Sequence, residues 1–298
     1  MSKIIIIFCE GSHDVAFVSK ILKTACYKTY HNIKIKESPH PLGNMFEGSL
    51  KNIPFGDLKI DELSTKAIPN KILEKNEQDK IVLLYAIGGN RQDAKSKKII
   101  DLFLDIKQDA TTRGNESGNE IGLIGEDTKH EISFVFINDA DNDLNSEIKK
   151  VQDFMNTTYG EGLSLVHNSY TTFKLSMKVG VFIFSKDGVK GTLEDYLMET
   201  MKQDNEAIFD DATNFYQTYF VDSKLMRKKI VCEDTQSIEK NDKTQKEYKN
   251  KSIITIAGQL QNSGVSQAVT IEYSDYLNLD KIQKSAKIQE IITFIENA

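Results

Sequence analysis

The chain alternates short, wholly apolar runs with longer stretches in which apolar positions recur at helical spacing. Lys3 to Phe8 is a β-branched apolar run that stops at Glu10-Gly11, and from His13 the positions Val15, Phe17, Val18, Ile21 and Leu22 follow a helical period. The pattern returns as the run Ile81 to Ile87, the turn Gly88-Gly89-Asn90, and a helix through Ile99, Ile100, Phe103, Leu104 and Ile106. It returns again as Ile132 to Ile137, an acidic turn, and a helix through Ile148, Val151, Phe154 and Met155. A fourth run, Val179 to Phe184, precedes a helix beginning near Thr192. Apolar strands separated by helices predict an α/β fold, a mainly parallel Rossmann-like sheet flanked by helices. Such sheets bind ligands beyond the carboxyl ends of their strands, so chemistry is sought just after Phe8, Ile87 and Ile137.

Past residue 200 the pattern predicts a mainly helical C-terminal region, 201–298, packed on a domain formed by 1–200. It holds aromatic-rich residues 204–222, a basic segment, and an amphipathic stretch from Lys281 to Ile295. Two stretches read as loops. Residues 109–130 carry Gly114, Gly118, Gly122 and Gly125 among polar residues, and 233–250 are almost wholly polar and charged. The first is expected to be a flexible insertion; it runs into the acidic strand, which leaves a lid and plain disorder both open.

Composition narrows the function classes. No run of about 18 apolar residues occurs, which predicts no membrane span and a cytoplasmic chain. Cys9, Cys26 and Cys232 are odd in number and lack C-x-x-C spacing, so buried free thiols are expected rather than disulfides or a zinc knuckle. The net charge of −6 argues against a protein that coats nucleic acid by charge alone. Clustered carboxylates around Mg²⁺ or Mn²⁺ escape that objection, because the bound cation reverses the field where a phosphate must sit. The basic patches at Lys95, Lys97 and Lys98, at Lys224 to Lys229, and between Lys240 and Lys251 read first as solvated faces.

Three acidic segments carry the candidate chemistry. In Glu10-Gly11-Ser12-His13-Asp14, a carboxylate ends a buried strand, a glycine permits close backbone approach, and a second carboxylate opens the next helix. The bland alternative makes Ser12 an N-cap and Asp14 a first-turn acid facing the helix dipole. In Asp139-Ala140-Asp141-Asn142-Asp143, alternate residues point the same way, so Asp139 and Asp141 can reach one cation while Asp143 supports them or caps the next helix. An EF-hand is excluded, because its sixth and twelfth positions are Leu144 and Lys150. In Gly191-Thr192-Leu193-Glu194-Asp195, Thr192 and Asp195 suit a capping box, which leaves Glu194 to point elsewhere.

Taken in order, these segments resemble the Toprim domain of DnaG-type primases, topoisomerases, small ribosomal RNA maturases and OLD-family nucleases, over about residues 3–200. The shared elements are the Glu-Gly-x-x-Asp turn, the double-glycine turn, the Asp139-x-Asp141 pair and the Gly-Thr-Leu-Glu-Asp segment. The resemblance is to small OLD-like proteins without the ATPase, since no G-x-x-x-x-G-K-[ST] is present. It implies a divalent-metal-dependent nuclease acting on DNA or RNA. Glu10, Asp14 and Lys251 would be catalytic. Glu10, Asp14, Asp139, Asp141, Asp143 and Glu194 would hold Mg²⁺ or Mn²⁺, and Gly11, Gly88, Gly89 and Lys190 would line the substrate side. The alternative is a weakly active or inactive effector or binding subunit working beside a partner ATPase; phosphoryl transfer on a small nucleotide is a third. All versions need Glu10 and Asp139 within about 10 Å of each other, the reach of a shared ion pair.

Overall fold

The computed structural model describes residues 3–30, 42, 68–75, 79–88, 92–116, 130–233, 236–244 and 248–298. In chain order the elements are β1 (Lys3–Cys9), α1 (Ser12–Thr24), β2 (Lys28–Thr29), β3 (Lys71–Lys75), β4 (Lys80–Ala86), α2 (Gln92–Glu116), β5 (Glu131–Asp139), α3 (Leu144–Tyr159), β6 (Ser169–Thr172) and β7 (Lys178–Phe184). There follow α4 (Leu193–Met201), α5 (Glu206–Tyr219), β8 (Met226–Glu233), β9 (Gln236–Thr244), α6 (Lys249–Gln261), α7 (Gln267–Tyr273), α8 (Leu279–Lys284) and α9 (Ala286–Glu296). Seven strands form one sheet in the order β2-β3-β4-β1-β5-β7-β6. The four central strands are parallel, as the apolar runs predict, and β2, β3 and β6 join antiparallel at the edges.

The strand at the centre, β1, shows why its sequence is almost unbroken Ile and Phe. Ile6 sits between Leu83 and Phe134, and every side chain from Ile4 to Cys9 is fully buried. Alternation sends Ile5, Ile7 and Cys9 to one face and Ile4, Ile6 and Phe8 to the other. The second face is covered by α2 and α3, whose Ile99, Phe103, Ile148 and Met155 join its core. The first is covered by α1 and the C-terminal helices, through residues such as Phe17, Leu197, Ile254, Ile271 and Ile291. Each fully buried Ile or Phe contributes on the order of 2 kcal/mol.

Helix α9 closes this face over β7. Phe294 stacks on Tyr170 at 4.7 Å, lies 5.6 Å from Phe182, and accepts a hydrogen bond from the Tyr170 hydroxyl at its carbonyl (3.0 Å). Gly180 makes room for this: a Cβ there would stand 2.5 Å from the Tyr170 ring.

Three expectations are corrected. The stretch 233–250, expected to be a loop, contributes strand β9, which pairs with β8 as a hairpin within the mainly helical C-terminal region. Its strands are hard to read because they bury no apolar face: Ile230 is 78% exposed, and cross-strand charge pairs such as Lys228 with Glu239 (2.8 Å) replace packing. Helix α2 runs on to Glu116, through the start of the expected loop; the remainder, with Gly118, Gly122, Gly125 and the lid reading, lies outside the described residues. Of the cysteines only Cys9 is buried, and Cys26 and Cys232 are exposed. Among the described residues no helix is long and apolar enough to cross a membrane.

Phe294→Ala should lower unfolding stability by about 3–4 kcal/mol, the range for removing a buried aromatic, as read by urea denaturation. A loss under about 1 kcal/mol would show that α9 does not close this face.

Candidate functional site

The carboxyl ends of β1, β4, β5 and β7 meet at one rim, and the three acidic segments converge there. Pairing of β1 with β4 continues one step past the strands, with Ile87 N–H donating to the Cys9 carbonyl at 2.8 Å. This brings Gly88 onto Glu10. A Cβ at Gly88 would lie 1.9 Å from the Glu10 carbonyl oxygen, so only glycine fits. The need for glycine comes from the chain's own backbone rather than from a substrate. Gly89 lies outside the described residues.

Glu10 stands one residue beyond β1, and its Oε1 accepts from the backbone N–H of Asp139 at 3.1 Å. Asp139 is the last residue of β5, and its Oδ1 accepts from the N–H of Leu193, the first residue of α4, at 2.7 Å. An anion at a helix N-terminus is favoured by the dipole. Asp14, in the first turn of α1, is 2% exposed, and its Oδ2 accepts from Gly11 N–H at 2.7 Å. Gly11, not Ser12, is the N-cap; Ser12 is the exposed first residue of the helix. Glu194, also 2% exposed, accepts from Gln267 at 2.9 Å, and the same Oε1 lies 3.5 Å from both His13 Nε2 and Lys251 Nζ. His13 Nε2 is in turn 3.6 Å from Asp14 Oδ2 and 3.4 Å from Lys251 Nζ. Glu10 and Asp139, distant in sequence, are thus in direct contact, well inside the 10 Å the sequence reading requires.

The remaining candidates sit at the margin. Asp141 adopts a left-handed backbone (φ 50°), which Asp tolerates better than most residues, and exchanges two backbone hydrogen bonds with Gly191 at 2.8 and 3.1 Å. Its side chain is exposed, and its charge is felt by Glu10. Asp143 caps α3, with its Oδ1 accepting from Asn145 N–H at 3.0 Å. Lys190 is exposed in the tight turn after β7, and its N–H donates to Asp187 at 3.1 Å. Lys251, in the first turn of α6, does reach the acids, and its ammonium also lies 4.9 Å from the centre of the Tyr248 ring. Sequence reasoning did not single out His13 or Gln267. His13 stood inside the first motif; Gln267 carries no local signal and is brought in by tertiary packing alone.

Crowding of acids in a buried place has a measurable electrostatic consequence. Burial, then the charges of Glu10, Asp14 and Glu194, push the Asp139 carboxyl up to about 9, against the opposing Leu193 N–H. Burial, with Glu10 and Glu194, pushes Asp14 up to about 7 despite the Gly11 hydrogen bond. Burial also raises Glu10, helped by Asp141 and Glu147, and raises the Cys9 thiol beneath them. His13 is lowered, chiefly by burial, with the charge of Glu194 opposing. Glu10, Asp14, Asp139, Asp141 and Glu194 are the side chains that could hold a divalent cation. Among the described residues no three of them already converge on a single ligand point. Glu10, Asp14, Asp139 and Glu194 each engage their protein partners through one carboxylate oxygen among the described residues.

No family model matches the chain, and no curated protein matches it. Among solved structures, a hypothetical protein from Pyrococcus horikoshii is similar over 99% of this chain and 95% of its own, with 14% identity and a TM-score of 0.49.

A carboxyl whose folded pKa lies above its unfolded value of about 4 gives most stability below that value and loses it as pH rises through the folded one. Without metal, Asp14 and Asp139 should therefore cost stability progressively between about pH 4 and pH 9. Asp139→Asn keeps the acceptor for Leu193 and removes the charge. In EDTA it should be on the order of 1–2 kcal/mol more stable than the parent at pH 8.5, with little difference at pH 4. Urea denaturation at the two pH values checks this; equal stability at pH 8.5 would contradict the electrostatic description.

Proposed function

We propose that this chain is a divalent-metal-dependent nuclease of the Toprim and OLD type, hydrolysing phosphodiester bonds of DNA or RNA. The observation that carries the reading is the contact of Glu10 with Asp139 beside buried Asp14 and Glu194, a group whose mutual repulsion a cation would relieve. Hard carboxylate oxygens are the donor type that Mg²⁺ and Mn²⁺ prefer. Glu10, Asp14, Asp139, Asp141 and Glu194 would be the ligands, and the ion would supply an activated water and charge neutralisation at the phosphate.

The chain's own groups have separable parts to play. The Asp139 N–H orients Glu10, and the Leu193 N–H orients Asp139, so both carboxylates are held by backbone rather than by mobile side chains. Lys251, beside Glu194, is the cation placed to meet negative charge developing on a departing oxygen. His13, whose Nε2 lies between Lys251 and the two buried acids, would be the group that takes up a proton there.

A second reading, a weakly active or inactive binding module beside a partner ATPase, is favoured by the absence of a preformed three-ligand point among the described residues. Purified chain with Mn²⁺, offered plasmid, single-stranded DNA and structured RNA, decides between the two. Cleavage that drops more than about 100-fold in Glu10→Ala and Asp139→Asn, with circular dichroism unchanged, is the expected result. Cleavage unaltered by both substitutions discards the site; no cleavage of any substrate leaves the binding module.

A further inference from the structure

The carboxyl end of β5 sends consecutive residues to opposite sides of the sheet. Asp139 turns toward α1 and α4, and Asn138 toward α2 and α3. There Asn138 lies at the floor of an open groove of about 740 Å³ between these two helices. Asn138 is 5% exposed, and its carbonyl oxygen Oδ1 is buried without a hydrogen-bond partner among the described residues. A buried amide oxygen left unpaired costs about 1–3 kcal/mol, a defect that a bound donor would remove.

The walls say what kind of donor. Asp93, Glu147 and Asp153 stand along them, and the two lysines of the lining are already engaged, Lys97 by Asp101 and Lys150 by Glu147 at 2.6 Å, so a phosphate or other anion is disfavoured. Phe136 and Phe154, with ring centres 6.3 Å apart, give the same groove an aromatic side. An uncharged, flat molecule with an amino group satisfies all three features, and the volume suits one of nucleoside size. The groove also opens beside the acids: the step after Cys9–Ile137 in the β1–β5 register places Glu10 next to Asn138, and the charge of groove-lining Glu147 is felt by Glu10.

We propose that this groove seats an amino-bearing base of the nucleic acid, adenine being the type, with the exocyclic amino group donating to Asn138 Oδ1 and the attached phosphate directed to the acidic rim. The phosphate half of this statement rests on the nuclease reading; the base half does not. The test therefore uses nucleosides without phosphate, in EDTA. Adenosine and purine riboside, which lacks only the 6-amino group, are titrated into the ¹⁵N-labelled full chain by NMR. Adenosine should shift resonances of α2, α3 and Asn138 and bind about tenfold more tightly than purine riboside, the loss typical of one buried hydrogen bond. Asn138→Leu should bring the two nucleosides to equal, weaker affinity while leaving thermal stability unchanged or higher, because an unpaired oxygen has been removed. A role confined to structure predicts the opposite stability change. Equal affinity of the wild-type chain for both nucleosides, no shifts in the groove, or adenosine binding untouched in Asn138→Leu each overturns the proposal. The wild-type comparison needs no variant to fold, and a chain that binds adenosine but cleaves nothing would retain the groove and reject the nuclease.

Discussion

Asp139 joins two parts of the molecule through its backbone and its side chain at once. Its N–H donates to Glu10 at the end of the central strand, and its carboxylate accepts from the first N–H of α4. Negative charge in a buried place persists only where donors or cations face it. The geometry of the rim follows from meeting that demand with backbone groups, because backbone N–H groups at strand and helix ends are fixed by the sheet itself. The same packing that buries β1 and β5 decides how close Glu10 and Asp139 come, so core stability and site geometry are set by one set of contacts.

Glu194 meets the demand differently. It is faced by side chains, Gln267, His13 and Lys251, from α7, α1 and α6. These three can exchange partners without moving a strand. The rim thus has one half built on the ends of β1 and β5 and another built on helices α1, α4, α6 and α7.

Much of this was legible in the chain before any fold was known. A run such as Ile4 to Phe8 admits few structures, and the parallel centre of the sheet follows from four such runs. The acidic segments were legible for the same reason: a charge placed directly after an apolar strand must lie at the sheet's rim. What stayed hidden has a common physical cause. The antiparallel strands β2, β3 and β6 are short and mixed in polarity, and the hairpin β8–β9 is held by charge pairs that local periodicity does not show. Gln267 and Asn138 matter only because distant segments meet at them, and the restriction of Gly88 comes from the Glu10 carbonyl across a strand pair. Burial is the expectation for all three thiols because cysteine is usually buried; only Cys9, inside an apolar strand, has sequence context to support it.

The long reach between the first strand and the last helix shapes how the molecule comes into being. Lys3 at the start of β1 donates to the carbonyl of Ala298, 295 positions away, and Ile291 and Ile295 of α9 complete the face that holds Ile5 and Ile7. During synthesis, this strand therefore waits for its final cover until α9 has been added. Such distant closure makes folding slow and leaves a sticky, half-covered sheet in the meantime.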